Sequence, residues 1–254
     1  MIDKCTTKSW ETSLYEPQQL YYNLMGEKIL TDKNVKSAYY MAKYKKSCDS
    51  PAWDGMTRTI LIDGMEQEHA LALIRYHILH GPSGCVKRFD IPKSNGKTRP
   101  ISIYPLLDRV AQWCIMEPLR KACGPLLSPI NHAFLKGKSC KTAFDAFPPA
   151  GEAGYVICGD IHSFFDSVSH SLVRACLWSA GIRDSQLLHT INVTLKTPYK
   201  YPKQPKVRPE QGLPQGAPIS PLLANIILAY MDRYFDALYG DQKLPHMVRY
   251  ADDF

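Results

Sequence analysis

Residues 246–253 read HMVRYADD, a short apolar and aromatic run that ends in two adjacent carboxylates, Asp252 and Asp253. Such a run predicts a β-strand with acids at its end. Another acid, Asp160, follows the run YVIC at 155–158, which predicts a second strand. If the two strands lie side by side, all three carboxylates meet at one rim of a sheet, where rigid backbone can hold metal ligands. An isolated acid pair would instead be typical of a solvated turn.

Carboxylates gathered in this way indicate chemistry that uses a divalent metal. Magnesium prefers hard oxygen ligands and binds through a few carboxylates together with substrate phosphates. Two such ions, roughly 4 Å apart, can activate an attacking hydroxyl and stabilise a leaving pyrophosphate. The spacing of the acids in the sequence is compatible with such a site and does not by itself establish it.

The rest of the chain predicts a mixed α and β protein, because helical and strand-like periodicities both occur. Residues 86–92 and 98–103 alternate like the two strands of a hairpin, with a turn at 94–96. Ser169 is a candidate helix cap. Apolar periodicity predicts further helices over 31–44, 66–80, 107–123 and 219–238.

Basic residues are concentrated in two parts of this chain of 254 residues, whose formal net charge is +7. Between Lys87 and Lys141 there are eleven Lys or Arg and three acids, and between Lys196 and Arg208 five basic residues and no acid. Such clusters can meet a phosphate backbone, with binding that weakens steeply as salt rises. A solvated basic face is the simpler interpretation of charge alone.

Cysteine spacing and hydropathy exclude several classes of protein. None of the eight cysteines is separated from another by two residues, which argues against a zinc ribbon or a redox pair. The N-terminus has no apolar segment typical of a signal peptide, and the longest apolar stretch, 218–230, is too short to cross a bilayer. We therefore expect a soluble cytoplasmic protein with reduced thiols and no membrane partner.

Several segments, in order, resemble the motifs of reverse transcriptases, and most closely those of the group II intron lineage. The YADD box at 250–253 is the strongest match. QGLPQGAPISPLLANIILAYMD at 211–232 resembles the family's nucleotide-pocket motif, and GDIHSFFDSVSH at 159–170 resembles its first catalytic motif. Four further segments are similar to the family: DSPAWDGM at 49–56, IPKSNGKTRPISI at 91–103, DRVAQWCIMEPL at 108–119 and HAFLKGKSCKTAF at 132–144.

The resemblance, which covers about residues 30–254, implies an α+β fold of the right-hand polymerase type. Its palm would be a small antiparallel sheet backed by helices, and its fingers would be inserted into the palm. The implied divisions are a lead-in at 1–30, fingers at 31–150 and 171–213, and palm at 151–170 and 214–254. The thumb would be absent from this chain, which stops on the turn of the catalytic hairpin.

The resemblance also implies roles for individual residues. Asp160, Asp252 and Asp253 would hold two Mg²⁺ ions, with Mn²⁺ able to substitute, and Asp160 and Asp252 would be the direct ligands. Lys93 and Arg99 would bind the incoming triphosphate. The nucleotide pocket would be lined by Gln215 and by Gly216, whose missing side chain lets backbone approach the substrate.

Phe165 occupies the position of the family's sugar gate, where a bulky ring would collide with a ribose 2′-hydroxyl. The alternative interpretation of Phe165 is that it is a core aromatic residue at a strand end. Phe164 would be its core-facing neighbour. Asp160 and Asp166 also form an acid pair like that of RNA-dependent RNA polymerases. Group II enzymes carry an acid there too, so the bulky Phe165 and the YADD turn favour DNA synthesis.

The implied function is an RNA-directed DNA polymerase of a group II intron-type retroelement, with an RNA template, a DNA or RNA primer and deoxynucleotides as partners. Its own intron or a non-coding RNA is a further candidate partner. Two alternatives remain: the reverse transcriptase of a retron, CRISPR-linked or phage-defence system, and an RNA-binding maturase-like module with an idle polymerase site. We expect residues 1–254 alone to be weakly active or inactive, because half a hairpin would position Asp252 and Asp253 poorly. The segment from Lys196 to Arg208 fits either a template-contacting loop or an exposed hairpin without a partner.

Overall fold

The computed structural model describes residues 16–82, 84–92, 96, 98–147, 155–239 and 247–254. They form an α+β structure, as expected. The helices are α1 (Asp32–Tyr44), α2 (Arg58–Ile62), α3 (Gln67–His80), α4 (Leu106–Cys123), α5 (Cys140–Asp145), α6 (Phe164–Ser167), α7 (His170–Ser179), α8 (Ser185–Leu195) and α9 (Ser220–Tyr239). The strands are β1 (Val86–Pro92), β2 (Thr98–Ile103) and β3 (Tyr199–Lys200).

The strands form one sheet in the order β2-β1-β3. β1 and β2 are antiparallel, with Lys87 opposite Ile103 and Ile91 opposite Arg99, so the predicted strand pairing is confirmed. Residues 94 and 95 of the predicted turn lie outside the described residues. β3 pairs with β1 in parallel and places Lys200 beside Lys87. Because side chains alternate across a strand, these residues lie on one face of the sheet and Arg88 lies on the other.

α4 is the central helix and is buried on nearly every side, against α1, α3 and α9. It contains Pro118, which has no backbone N–H for the carbonyl of Cys114 one turn earlier. The side chain of Asn34 on α1 supplies the missing donor: its Nδ2 lies 2.8 Å from the Cys114 carbonyl oxygen and 2.8 Å from that of Ile29. The interior proline is therefore tolerated because a second helix satisfies the freed carbonyl.

Buried polar contacts also hold α3 and α9 in the core. His77 Nδ1 on α3 lies 2.6 Å from Asp108 Oδ1 on α4, and both side chains are almost fully buried. At the start of α9 the backbone N–H of Ile219 donates to Gln112 Oε1 on α4 at 3.3 Å. Asn225 on α9 donates to the Ala133 carbonyl at 2.9 Å. These contacts fix α9, and with it the segment that leads into it, against the core.

Helix predictions agree with the structure closely, and Ser169 caps α7 as expected, with its Oγ 3.2 Å from the backbone nitrogen of Leu172. No prediction covered the short helices α2, α5 and α6, or α8, which is capped by Asp184. The strand predicted at 155–158 is wrong: these residues form neither strand nor helix, and Tyr155 is 96% exposed. Antiparallel backbone pairing in this segment begins at Gly159, which lies opposite Phe254. Among the described residues, no strand pairs with 155–158.

The strand predicted at 246–250 is also not formed as such. His246 lies outside the described residues, and Arg249 and Tyr250 make isolated bridges only, Arg249 with Asn131 and Tyr250 with Asp253. The segments predicted to form the palm are 151–170 and 214–254. Among their described residues, antiparallel pairing is limited to single bridges. Among the described helices, none is both long and apolar enough to cross a membrane.

Candidate active site

The YADD box forms a tight turn. The backbone N–H of Tyr250 donates to the Asp253 carbonyl at 2.8 Å, and the N–H of Asp253 donates back to the Tyr250 carbonyl at 3.2 Å. Ala251, inside the turn, has a φ of 60°. A non-glycine residue in this left-handed region is strained, and such strain persists where the surrounding structure enforces it. The turn therefore presents Asp252 and Asp253 in a defined backbone geometry.

Asp160 is brought to this turn by backbone pairing. Asp160 forms an antiparallel bridge with Asp253. On one side of that bridge Gly159 and Phe254 exchange hydrogen bonds of 2.7 and 2.9 Å, and on the other side the N–H of Ile161 donates to the Asp252 carbonyl at 3.2 Å. The three acids that are far apart in sequence thus lie on adjoining backbone, although the predicted strand before Asp160 is not formed.

The electrostatics around Asp253 favour a cation. Burial raises the pKa of Asp253, and the neighbouring charges of Asp252 and Asp160 raise it further. A divalent ion would relieve this repulsion, and carboxylate oxygens are the ligands that magnesium prefers. Among the described residues no three His, Cys, Asp or Glu side chains are close enough together to hold a metal on their own. This chemistry fits an ion that takes some of its ligands from substrate phosphates.

A buried ion pair supports the turn from behind. Arg249 donates to Asp232 on α9 twice, Nε to Oδ1 and Nη2 to Oδ2, each at 2.6 Å, and neither side chain is exposed. The third donor, Nη1, reaches the Ala251 carbonyl at 2.8 Å. The Arg249 backbone is in turn bonded to Ile130 and His132. Sequence reasoning did not single out this pair; its signal was Arg249 directly before the YADD box and Asp232 just after the apolar stretch 218–230.

Two of the predicted nucleotide-binding residues contact each other. Arg99 Nε on β2 donates to Gln215 Oε1 at 2.9 Å, and Arg99 is exposed. Because they come from a hairpin and from the loop before α9, this bond connects two separate predicted motifs. Lys93, the other predicted triphosphate ligand, lies outside the described residues.

Gly216 is required by packing against the hairpin. Its φ is +106°, and a Cβ there would lie under 3.0 Å from the carbonyl oxygen of Ser102 on β2. The adjacent Gln215 carbonyl accepts a hydrogen bond from the Ser102 N–H at 2.9 Å. In the structure, this glycine therefore allows its backbone to lie close to β2. The close approach of backbone to substrate, which was expected from the sequence, stays a prediction.

Phe165 lies on α6 between the core and a cavity. Phe164 is buried, as expected for the core-facing neighbour, and Phe165 is half-buried. The Phe165 carbonyl accepts a hydrogen bond from the Leu213 N–H at 2.6 Å, which ties the predicted sugar gate to the nucleotide-pocket motif.

The cavity beside Phe165 has a volume of about 310 Å³ and is also lined by Arg88, Asp166 and Tyr199. The Arg88 guanidinium carbon lies 4.3 Å from the centre of the Tyr199 ring. Arg88 and Tyr199 were not among the predicted site residues. Their basic and aromatic character was visible in the sequence, but the parallel pairing of β3 with β1 that unites them was not.

Comparison with known proteins identifies a family and several relatives of this chain. The family model for reverse transcriptase (RNA-dependent DNA polymerase) matches residues 91–254. Protein YkfC of Escherichia coli (strain K12) is 32% identical over 206 residues, which cover 76% of this chain and 52% of that protein. The group II intron-encoded protein LtrA of Lactococcus lactis subsp. cremoris is 31% identical over 155 residues, or 59% of this chain and 25% of LtrA. This chain therefore spans about half the length of YkfC and a quarter of that of LtrA.

A retron reverse transcriptase and a chain of a solved complex are also similar. The Retron Mx162 reverse transcriptase of Myxococcus xanthus is 28% identical over 172 residues, covering 64% of this chain and 33% of that protein. A chain of a structure described as a partial Cas6-RT-Cas1–Cas2 complex matches with a TM-score of 0.50 and 23% identity, over 89% of this chain and 36% of its own length, and so shares the fold. The match to the family model covers more than half of the sequence, and the chain therefore belongs to the reverse transcriptase (RNA-dependent DNA polymerase) family.

Proposed function

We propose that this chain carries the catalytic residues of an RNA-directed DNA polymerase that adds deoxynucleotides to a primer on an RNA template. The observation that carries the proposal is the pairing of Asp160 with the turn that holds Asp252 and Asp253. An RNA-binding module with an idle site has no physical need to pair these acid-bearing segments, because the charges of Asp252 and Asp160 are unfavourable for Asp253 without a cation.

Asp160, Asp252 and Asp253 would hold two Mg²⁺ ions, with Mn²⁺ able to substitute, and Asp160 and Asp252 would be direct ligands. When bound there, the ions would lower the pKa of the primer hydroxyl and stabilise the charge on the leaving pyrophosphate. The contribution of the chain itself is positional. Arg249 holds the turn through its hydrogen bond to the Ala251 carbonyl. The backbone bridge between Asp160 and Asp253 keeps these two residues paired.

The incoming deoxynucleotide would be bound by Lys93, Arg99, Phe165, Gln215 and Gly216. Fixed cations near a transferring phosphoryl group stabilise the charge that grows as the reaction proceeds. The bond between Gln215 and Arg99 supports this role, because it sets the direction of the guanidinium before a nucleotide arrives. Phe165 would exclude a ribose 2′-hydroxyl and so favour deoxynucleotides.

In this proposal the fingers comprise 31–150 and 171–213, and the palm 151–170 and 214–254. The biological setting that we favour is a group II intron-type retroelement, because LtrA and further intron proteins are among the relatives. The similarity to a retron reverse transcriptase and to a chain of a Cas6-RT-Cas1–Cas2 complex supports a second candidate setting, in a retron or a CRISPR-linked system.

The test is extension of a primer annealed to RNA by the full-length protein that contains this chain, with deoxynucleotides and Mg²⁺. Template-directed incorporation would support the proposal. Tight RNA binding without incorporation, in Mg²⁺ and in Mn²⁺, would contradict it and favour the RNA-binding module. Co-purified RNA, sequenced from the natural host, would separate an intron from a retron or CRISPR-linked setting.

A further inference from the structure

Trp53 is an exposed aromatic residue flanked by two lysines on neighbouring strands. Its side chain is 44% exposed. The Nζ atoms of Lys87 on β1 and of Lys200 on β3 each lie 5.6 Å from the centre of its ring. These lysines are register partners in the parallel pairing, so their side chains lie on the same face of the sheet. We call Trp53, Lys87 and Lys200 the tryptophan platform.

The segment that carries Trp53 is held in place by a buried arginine. Arg109 on α4 is 6% exposed and donates to the carbonyls of Ser47 and Ser50 at 2.8 and 3.1 Å. Gly55, with a φ of 72°, turns the chain two residues after the tryptophan. The carboxylate of Asp54 accepts a hydrogen bond from the Met56 N–H at 3.3 Å, within its own turn. The ring is therefore presented by an anchored segment.

A basic cavity lies on the same face of the sheet. Phe89, two residues after Lys87 on β1, lines a cavity of about 610 Å³ together with Lys45, Arg109 and Arg120. Lys45 Nζ lies 4.5 Å from the ring of Trp113, which also lines the cavity. None of the described residues that line it is acidic. Basic side chains and aromatic rings thus occur both in the tryptophan platform and in this cavity.

We propose that the tryptophan platform binds single-stranded RNA, with a base stacked on Trp53 and phosphates beside Lys87 and Lys200. A positive groove with aromatic rings on which bases stack is the general design of proteins that bind single strands. The platform lies about four residues along the hairpin from Arg99, or roughly 13 Å at 3.3 Å per residue, so it would contact a nucleotide other than the one in the active site. The assignment of this RNA as template rests on the proposed polymerase function.

This site gives the basic segment between Lys196 and Arg208 a definite role. Tyr199 and Lys200 of this segment pair with β1, and the antiparallel bridge between Tyr199 and Val207 folds the remainder back as a hairpin. The hairpin thereby places Lys200 beside Trp53 in the tryptophan platform.

The experiment measures binding of a fluorescent single-stranded RNA to the full-length protein without nucleotides. Trp53→Ala should weaken binding about tenfold, and Trp53→Phe should largely restore it, because stacking needs only an aromatic face. Lys87→Gln combined with Lys200→Gln should lower the slope of log affinity against log salt by about 1.4, or 0.7 for each lost phosphate contact. Trp178→Ala is the matched control: that ring is 47% exposed with the Arg183 guanidinium 4.0 Å from its centre, and its loss should leave RNA binding unchanged.

Unchanged binding by Trp53→Ala, or an equal loss in Trp178→Ala, would overturn the platform. An equal loss on blunt duplex RNA would overturn base stacking as its mechanism. Primer extension, measured on the same preparations, distinguishes the proposed RNA binding by the tryptophan platform from the proposed polymerase function. Loss of RNA affinity in Trp53→Ala, with a wild-type protein that extends no primer, would support the platform while contradicting the polymerase function.

Discussion

Arg249 and Asp232 form a doubly hydrogen-bonded ion pair that is shielded from solvent and lies directly behind the turn that carries Asp252 and Asp253. Through its third donor Arg249 also holds the Ala251 carbonyl. The pair thus connects α9, which follows the predicted nucleotide pocket, to the predicted metal ligands. Burial raises the pKa of Asp232, and the guanidinium opposes this shift.

Arg249→Met should strongly destabilise the fold, because it leaves the Asp232 carboxylate buried without its partner. Removal of one partner from such a pair typically costs about 3–5 kcal/mol. The measurement is the free energy of unfolding from denaturant titration. As a control, Asp145→Asn removes an exposed ion pair with Lys141 and should change stability by less than about 1 kcal/mol. Equal effects of the two substitutions would contradict a structural role for the buried pair.

Asn34→Ala should destabilise the protein by about 1–3 kcal/mol, because the Cys114 carbonyl, freed by Pro118, loses its donor. Pro118→Ala restores a backbone N–H to α4. In the Asn34→Ala background it should therefore recover part of the loss, and a double-mutant cycle should show coupling of about 0.5 kcal/mol or more. Strictly additive effects would show that the side chain does not act through this carbonyl.

Gly216→Ala should abolish nucleotide incorporation and lower stability, because its Cβ would collide with the Ser102 backbone and its φ is unfavourable for alanine. Gly124→Ala is a matched control, since its φ is −50° and a Cβ there meets nothing within 4 Å. Primer extension and thermal unfolding of the two variants are the measurements. Normal behaviour of Gly216→Ala would mean that the loop before α9 can move away from β2.

Phe165→Ala should admit ribonucleotides, because the bulk expected to meet a 2′-hydroxyl is removed. The measurement is the ratio of kcat/KM for deoxynucleotides and ribonucleotides. Phe165→Tyr should retain the discrimination. Phe164→Ala, at the buried neighbour, should instead lower stability by about 3–5 kcal/mol and leave the ratio unchanged. Unaltered discrimination in Phe165→Ala would exclude this ring as the sugar gate.

Stability should fall as the pH drops below the ordinary histidine pKa of 6.5, because burial lowers the pKa of His170 in the folded state. The unfolded chain then binds a proton that the folded chain resists, with a slope of at most about 1.4 kcal/mol per pH unit for this one group. His170→Gln should reduce the slope in urea unfolding between pH 5 and pH 7, a range chosen to span the ordinary value. An identical slope in the variant would show that His170 does not account for the acid sensitivity.

Local sequence patterns predicted much of this fold. The hairpin of β1 and β2 and the helices α1, α3, α4, α7 and α9 follow from periodicity and capping, which depend on neighbouring residues. The run at 155–158 has strong strand propensity but is not a strand, because a strand also needs a partner in register. Helix α8 has a capping aspartate and an apolar face, yet no prediction was made for it.

Parts of the candidate site depend on long-range packing and could not be predicted from local patterns. Asp160 and the YADD turn were expected to lie together, and their backbones do so. The Arg249–Asp232 pair, the bond between Arg99 and Gln215, and the position of Trp53 between two lysines each join distant segments. None of these distances follows from periodicity, because each is set by how helices and strands pack.

The central claim is that Asp252 acts with Asp160 and Asp253 in template-directed DNA synthesis. Its most direct test is primer extension on RNA by the full-length protein, with deoxynucleotides and Mg²⁺, comparing wild type, Asp252→Asn and the surface control Asp145→Asn. We predict extension by the wild type and the control, and none by Asp252→Asn at an equal amount of bound RNA. Extension by Asp252→Asn at the wild-type rate would contradict the account.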